Sequence, residues 1–155
     1  MKGNVKILAV LNNLLSDELT AISQYMVHSE MCANWRYDKL HKAIEERAIT
    51  EMKHAEKLIA RILFLEGAPI VSSLKKIIIG ADIEAQFKND LEAEYGAVKG
   101  YNDGIRLAYE LGDNGSRELM DSILTDEEEH VDWLEAQVDQ VKMMGFQTYL
   151  VEQVD

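Results

Sequence analysis

The chain has 155 residues, the size of one domain, and carries 28 acidic residues against 16 Lys plus Arg, for a formal net charge of -12. That balance excludes nucleic-acid binding, which needs a basic patch, and a hydrophobic content of 47% excludes a disordered chain. One cysteine, Cys32, excludes an intramolecular disulfide framework and fits a reducing cytoplasm, and no apolar run approaches the ~20 residues of a membrane span.

An apolar stretch, Val5 to Leu11, follows Lys2, but Asn12 and Asn13 interrupt it and no small-residue cleavage site follows, so no signal peptide is expected. The first helical segment carries the row Leu8, Leu11, Leu15, Glu18, Ile22, Tyr25 and runs to a polar break, Asn34 to Asp38. The second carries Ile44, Ala48, Glu51, Ala55, Leu58, Ile62, Leu65 and stops at Gly67-Ala68-Pro69. The third restarts at Gly80-Ala81-Asp82, carries Phe87, Leu91, Glu94, Val98, Tyr101, Ile105, Ala108, and breaks over Leu111 to Ser116. The fourth carries Met120, Leu124, Glu127, Val131, Leu134, Val138, Val141 and reaches Gly145, beyond which a short fifth helix is expected. Asp82 and Ser116 are the expected N-caps of the last two long helices.

Alternating steps of three and four mark amphipathic helices with bundle seams, and strand alternation is absent. The fold class is all-α, a four-helix bundle formed as one domain over 1–155. Short first and third gaps predict antiparallel hairpins. The middle gap, Gly67 to Ala81, has 15 residues. Extended, these reach ~50 Å, enough to run the ~42 Å of a long helix. A long crossover between helices two and three follows, and Lys75 to Ile79 is expected to lie extended against the surface or a neighbouring subunit.

Each seam is interrupted once, always by glutamate: Glu18, Glu51, Glu94 and Glu127. A charge in a core seam is costly unless paired or metal-bound, and no Lys or Arg occupies these rows. Glu51 and Glu127 also head E-x-x-H sequences ending at His54 and His130, placing carboxylate and imidazole on one helix face. Glu18 to Glu51 and Glu94 to Glu127 each span 33 positions. A shift of 76 residues maps Glu18, Glu51 and His54 onto Glu94, Glu127 and His130, and Tyr25 onto Tyr101. The chain therefore reads as two similar hairpins related by an approximate twofold, with all four glutamates at mid-bundle height. Four carboxylates and two imidazoles suit two ions of iron or manganese.

On these motifs the sequence resembles bacterioferritin over essentially its whole length. The similarity is carried by Asp17 to Tyr25, Glu51 to Ala55, Arg61 to Gly67 and Asp126 to Glu135. The resemblance implies a ferritin-like bundle, a cytoplasmic homo-oligomer of 24 subunits forming a hollow shell, and a ferroxidase that oxidises Fe(II) with O2 or H2O2 and stores the mineral. It implies two Fe per subunit, with Glu18 and Glu94 as terminal carboxylates, Glu51 and Glu127 as bridges, and His54 and His130 as nitrogen ligands. Tyr25 would lie beside the centre and supply an electron. It also implies haem b or a related iron porphyrin, one per two subunits, with Met52 of each as axial ligand, and a ferredoxin-type reductant for iron release. The residues alone read Met52, with Ile49, Leu19, Ser23 and Met26, as an apolar subunit interface. Two further readings share the site: a di-iron peroxidase or oxidase of the ferritin-like superfamily, and a haem-binding electron carrier with a structural di-metal site.

The chain departs from the family where many members carry His and Asp on the inner surface; here these are Glu46 and Thr50. Gly96, Gly100 and Gly104 form a stripe on helix three, away from the glutamate row. His28 and His41 match no ligand spacing, and His28 is expected at an interface or the surface. Of the run Asp126 to Glu129, only Glu127 is expected to face inward, and Cys32 reads as a small apolar residue.

Overall fold

The computed structural model describes residues 1–155. Five helices follow in order: α1 (Val5–Asn34), α2 (Asp38–Phe64), α3 (Ile83–Glu110), α4 (Asn114–Met144) and α5 (Phe146–Val151). Their boundaries follow side-chain and backbone caps. Asn4 accepts from Lys6 N at 2.8 Å and Asp82 from Ala85 N at 2.8 Å, each satisfying an N–H that the first turn leaves free. The cap of α4 is Asp113, not Ser116: its carboxylate accepts from Ser116 N at 3.0 Å and from the Ser116 hydroxyl at 2.7 Å. A carboxylate accepts two bonds at once, and Arg61 of α2 adds a third at 2.7 Å, tying the end of α2 to the start of α4.

Helices α1, α2 and α3 end alike. In each, a left-handed residue (Arg36, Glu66 or Gly112) lets the next N–H reach back to the helix. These bonds are Tyr37 N to Cys32 O at 2.9 Å, Gly67 N to Ile62 O at 2.9 Å and Asp113 N to Ala108 O at 2.8 Å. The expected four-helix bundle with a short fifth helix is what forms. Tyr149 of α5 is buried and donates to Gln137 Oε1 at 2.7 Å, docking the tail on α4.

The crossover 68–80 is extended and lies along α1. Side chains of α1 spaced by four residues receive its main chain. Asn12 Oδ1 accepts from Ile70 N at 2.8 Å and Ser16 Oγ donates to Ser73 O at 2.7 Å. Thr20 Oγ1 accepts from Lys75 N at 2.8 Å, Gln24 Oε1 from Ile78 N at 3.1 Å, and His28 Nε2 from Gly80 N at 2.9 Å. His28 is thus not at the surface. It is fully buried, and its Nδ1–H donates to Asp90 of α3 at 3.0 Å, because Nε2 already accepts. This ladder supplies the backbone partners that a segment outside helix or sheet otherwise lacks.

The apolar core is in two parts. One packs Ile7, Leu11, Leu15, Leu58, Ile62, Tyr101 and Met120; the other packs Tyr25, Leu40, Ile44, Phe87, Leu134 and Tyr149. Between them lies a polar layer of buried glutamate and histidine. No helix is long and apolar enough to cross a membrane.

Candidate metal centre

Glu18 and Glu94 come from the antiparallel pair α1 and α3, and the two E-x-x-H faces from α2 and α4. All six side chains meet in the polar layer and none is more than 4% exposed. They form two groups, Glu18–Glu51–His54–Glu127 and Glu51–Glu94–Glu127–His130, with the potential ligand atoms of each within 4.8 Å of one another. Glu51 and Glu127 belong to both groups. The shared carboxylates are the E-x-x-H glutamates, as bridging of two ions requires.

His54 Nδ1 lies 2.8 Å from Glu51 Oε2, 2.9 Å from Glu127 Oε1 and 3.7 Å from Glu18 Oε2. His130 Nδ1 lies 2.8 Å from Glu51 Oε1 and 3.4 Å from Glu94 Oε1. Yet Glu51 Oε1, Glu94 Oε2, Glu127 Oε1 and His130 Nδ1 are buried with no hydrogen-bond partner. Three carboxylate oxygens and one imidazole nitrogen left unpartnered in one buried layer are costly without a cation between them, so the donor set fits divalent metal.

Burial is the largest cause that raises Glu18, Glu51 and Glu94 above the usual carboxylate range, and charges on neighbouring glutamates add to it. Hydrogen bonds from His54 at Glu18 and Glu51, and from Tyr25 at Glu94, oppose it in part. Burial alone would lower His54, but hydrogen bonds to Glu127, Glu18 and Glu51 outweigh it and hold the ring strongly basic. The layer is short of positive charge, which two divalent ions would supply.

Tyr25 donates from its hydroxyl to Glu94 Oε1, and Tyr101 donates to Glu18 Oε1. Each tyrosine thus holds the glutamate of the other hairpin. Burial first, then the charges of adjacent carboxylates, raises both phenols well above their usual value. Tyr101 was visible in the sequence only as the partner of Tyr25 at the 76-residue offset. Asp126 was missed. It is not simply part of a solvated run, because its Oδ2 lies 2.9 Å from His54 Nε2. Met52 stands apart from this layer and is 45% exposed, and Met26 and Ile49 are exposed as well. Glu46 is exposed, and Thr50 donates its hydroxyl to the Glu46 carbonyl at 3.1 Å.

A groove of about 570 Å³ between α1 and α3 leads to Glu18, Glu94 and Glu127. Gly96 and Gly100 line it. A Cβ at Gly96 would meet nothing within 4 Å, whereas one at Gly104 would press on Met120 and Val10. The glycine stripe therefore divides: Gly96 is open to the groove, Gly104 allows close helix packing, and Gly100 does some of each, since a Cβ there would lie 3.2 Å from Leu14 Cδ2. Lys75 at the mouth pairs with Asp17, and no lysine or arginine pairs with the glutamates below.

A ferritin-like domain family matches residues 8–144. The chain is 42% identical to a bacterioferritin of Rhodobacter capsulatus over 149 residues, covering 96% of this chain and 92% of the relative. It is 39% identical to a bacterioferritin of Brucella melitensis biotype 1, with the same coverage. A bacterioferritin of Mycobacterium bovis is 38% identical, covering 96% of this chain and 94% of the relative. With its four-helix bundle, crossover and paired carboxylate–histidine clusters, the chain belongs to the bacterioferritin family of ferritin-like proteins.

Proposed function

We propose that this protein stores iron and acts as a ferroxidase, oxidising Fe(II) to Fe(III) with O2 or H2O2 at an intrasubunit di-iron centre in a single domain spanning 1–155. One observation carries the reading: two overlapping ligand clusters share Glu51 and Glu127, and four of their buried atoms lack any other partner. Glu18 and Glu94 are the terminal carboxylates, Glu51 and Glu127 the bridges, and His54 and His130 the nitrogen ligands. Two ferrous ions bound side by side supply two electrons to one oxidant molecule. Tyr25 and Tyr101 orient the terminal glutamates, and Tyr25, buried against Glu94, would supply a further electron.

The groove between α1 and α3 also suits an oxidase acting on an organic substrate, since its volume lies in the small-molecule range. Its lining supports the ferroxidase reading instead, because only 5 of 20 lining residues are hydrophobic, whereas small-molecule pockets are mostly apolar. A polar groove with a carboxylate floor suits a hydrated cation, and the acidic surface draws such cations in.

The exposed apolar face of Met26, Ile49 and Met52 fits a second copy of this chain. Haem b or a related porphyrin, one per two subunits, would be held there by the Met52 thioether of each subunit. The group would supply electron-transfer chemistry there, with a ferredoxin-type reductant as the electron source for iron release. Such dimers would build a cytoplasmic 24-subunit shell holding the mineral.

The test is Glu94→Ala, with Fe(II) oxidation followed by stopped-flow absorbance. Rapid oxidation should be nearly abolished, and full wild-type initial rates would overturn the assignment. Size-exclusion chromatography of iron-loaded protein separates storage from the other readings. A large particle holding far more than two irons per subunit supports storage, and a small dimer holding two contradicts it.

A further inference from the structure

The two imidazoles face the carboxylate layer alike but are held differently behind. His54 turns Nδ1 toward Glu51 and Glu127, and its Nε2 lies 2.9 Å from Asp126 Oδ2. A carboxylate on the far nitrogen holds a proton there, so Nδ1 is the nitrogen that would exchange its carboxylate contacts for an ion, and the ring plane is fixed. His130 turns Nδ1 toward Glu51 and Glu94, where it has no hydrogen-bond partner. The 76-residue offset that maps His130 onto His54 maps Asp126 onto Thr50. Thr50 carries no charge, and its hydroxyl donates to Glu46 O at 3.1 Å within its own helix. The symmetry of the ligands therefore stops short of the groups behind them.

We propose that the two ion positions are unequal, with Asp126 a positioning residue that makes Glu18–Glu51–His54–Glu127 the tightly held position. The Glu51–Glu94–Glu127–His130 position, with no carboxylate at residue 50, is the exchanging one. It fills second and empties first. This rests on the reading above that the six residues hold metal. Because Glu51 and Glu127 serve both positions, the difference must come from what is not shared: the terminal glutamates, which tyrosines hold alike, and the histidines, which are held unlike.

The test is a Co(II) titration of the metal-free full-length protein without oxygen, followed by ligand-field absorbance. Wild type should take up two Co(II) per subunit in two resolved steps, the first ~10-fold or more tighter. Asp126→Ala should weaken the first step by ~10–100-fold and merge it with the second. Asp126→Asn, whose side-chain oxygen still accepts from Nε2–H, should recover part of the loss, which a merely structural role would not predict. Thr50→Asp, on the exposed side of α2, should tighten the second step and merge the two from the other side. Two equal steps in wild type, or steps unchanged in both Asp126→Ala and Thr50→Asp, would overturn this inference and leave the metal centre standing. A wild type that takes up no Co(II) would overturn the metal centre itself.

Discussion

A shift of 76 residues lays Glu18, Glu51, His54 and Tyr25 of the first hairpin on Glu94, Glu127, His130 and Tyr101 of the second. Inside the bundle the two sets have matching surroundings: each ligand cluster has three glutamates and one histidine, and each tyrosine bonds the opposite terminal glutamate. Outside, the same shift carries Met26, Val27, Ile49 and Met52 to Asn102, Asp103, Thr125 and Glu128. The first set is apolar and exposed, the second polar and exposed. It also carries Thr20, Gln24 and His28, which hold the crossover, to Gly96, Gly100 and Gly104. The interior keeps its twofold, as the proposed pair of metal ions would require. The outer faces meet different neighbours, and there the two hairpins part.

The sharpest way to break this contrast is to give the first hairpin the second one's surface. Met52→Glu puts on α2 the residue type that α4 carries at the equivalent position, Glu128. A carboxylate buried at a subunit contact without a partner is strongly unfavourable. The expected outcome is loss of haem absorbance and a shift from shell to small species in sedimentation velocity, with helix content unchanged. A full-sized, haem-bearing particle would mean that this face is not a subunit interface.

A smaller effect is expected from His28→Ala. It removes the acceptor of Gly80 N–H and the donor to Asp90, both buried. Gly80 N–H is left orphaned, at ~1–3 kcal/mol, and Asp90 keeps only its bond from Gln24, which for a chain of this size lowers the melting temperature by several degrees. Thermal unfolding by circular dichroism reads it. No loss would show that the crossover is held elsewhere.

What the sequence disclosed follows the same division. A glutamate inside an apolar row stands out, because nothing else in that row is charged, and equal spacing in both halves multiplies the signal. The six residues that cluster in the buried layer and the fold were therefore legible. The crossover ladder was not, since Thr20, Gln24 and His28 look like any half-exposed polar residues until the strand that covers them is in place. Asp126 was hidden in a run of four acids, where helical phase separates only Glu127 from its neighbours. Asp113 lost out to Ser116 because both are good cap residues within one turn, and only the loop geometry chooses between them. The glycine stripe had no meaning in the sequence because its members have unlike surroundings.

That last difference gives the smallest and finest test. In an open helix position, Gly→Ala gains up to ~1 kcal/mol by removing backbone freedom from the unfolded chain. At Gly96 a Cβ meets nothing within 4 Å, so Gly96→Ala should raise the melting temperature by ~2–4 °C. At Gly104 the added carbon would lie 2.7 Å from Met120 Sδ and 3.0 Å from Val10 Cγ1. Met120 can turn aside, but a β-branched valine fixed against the bundle yields little, and overpacking of this kind costs ~1–3 kcal/mol. Gly104→Ala should therefore lower the melting temperature. The same substitution, made twice on one helix, should change sign within eight residues. If both raise stability, α1 and α3 are not in close contact at Val10. If both lower it, the wall of the groove at Gly96 is not open.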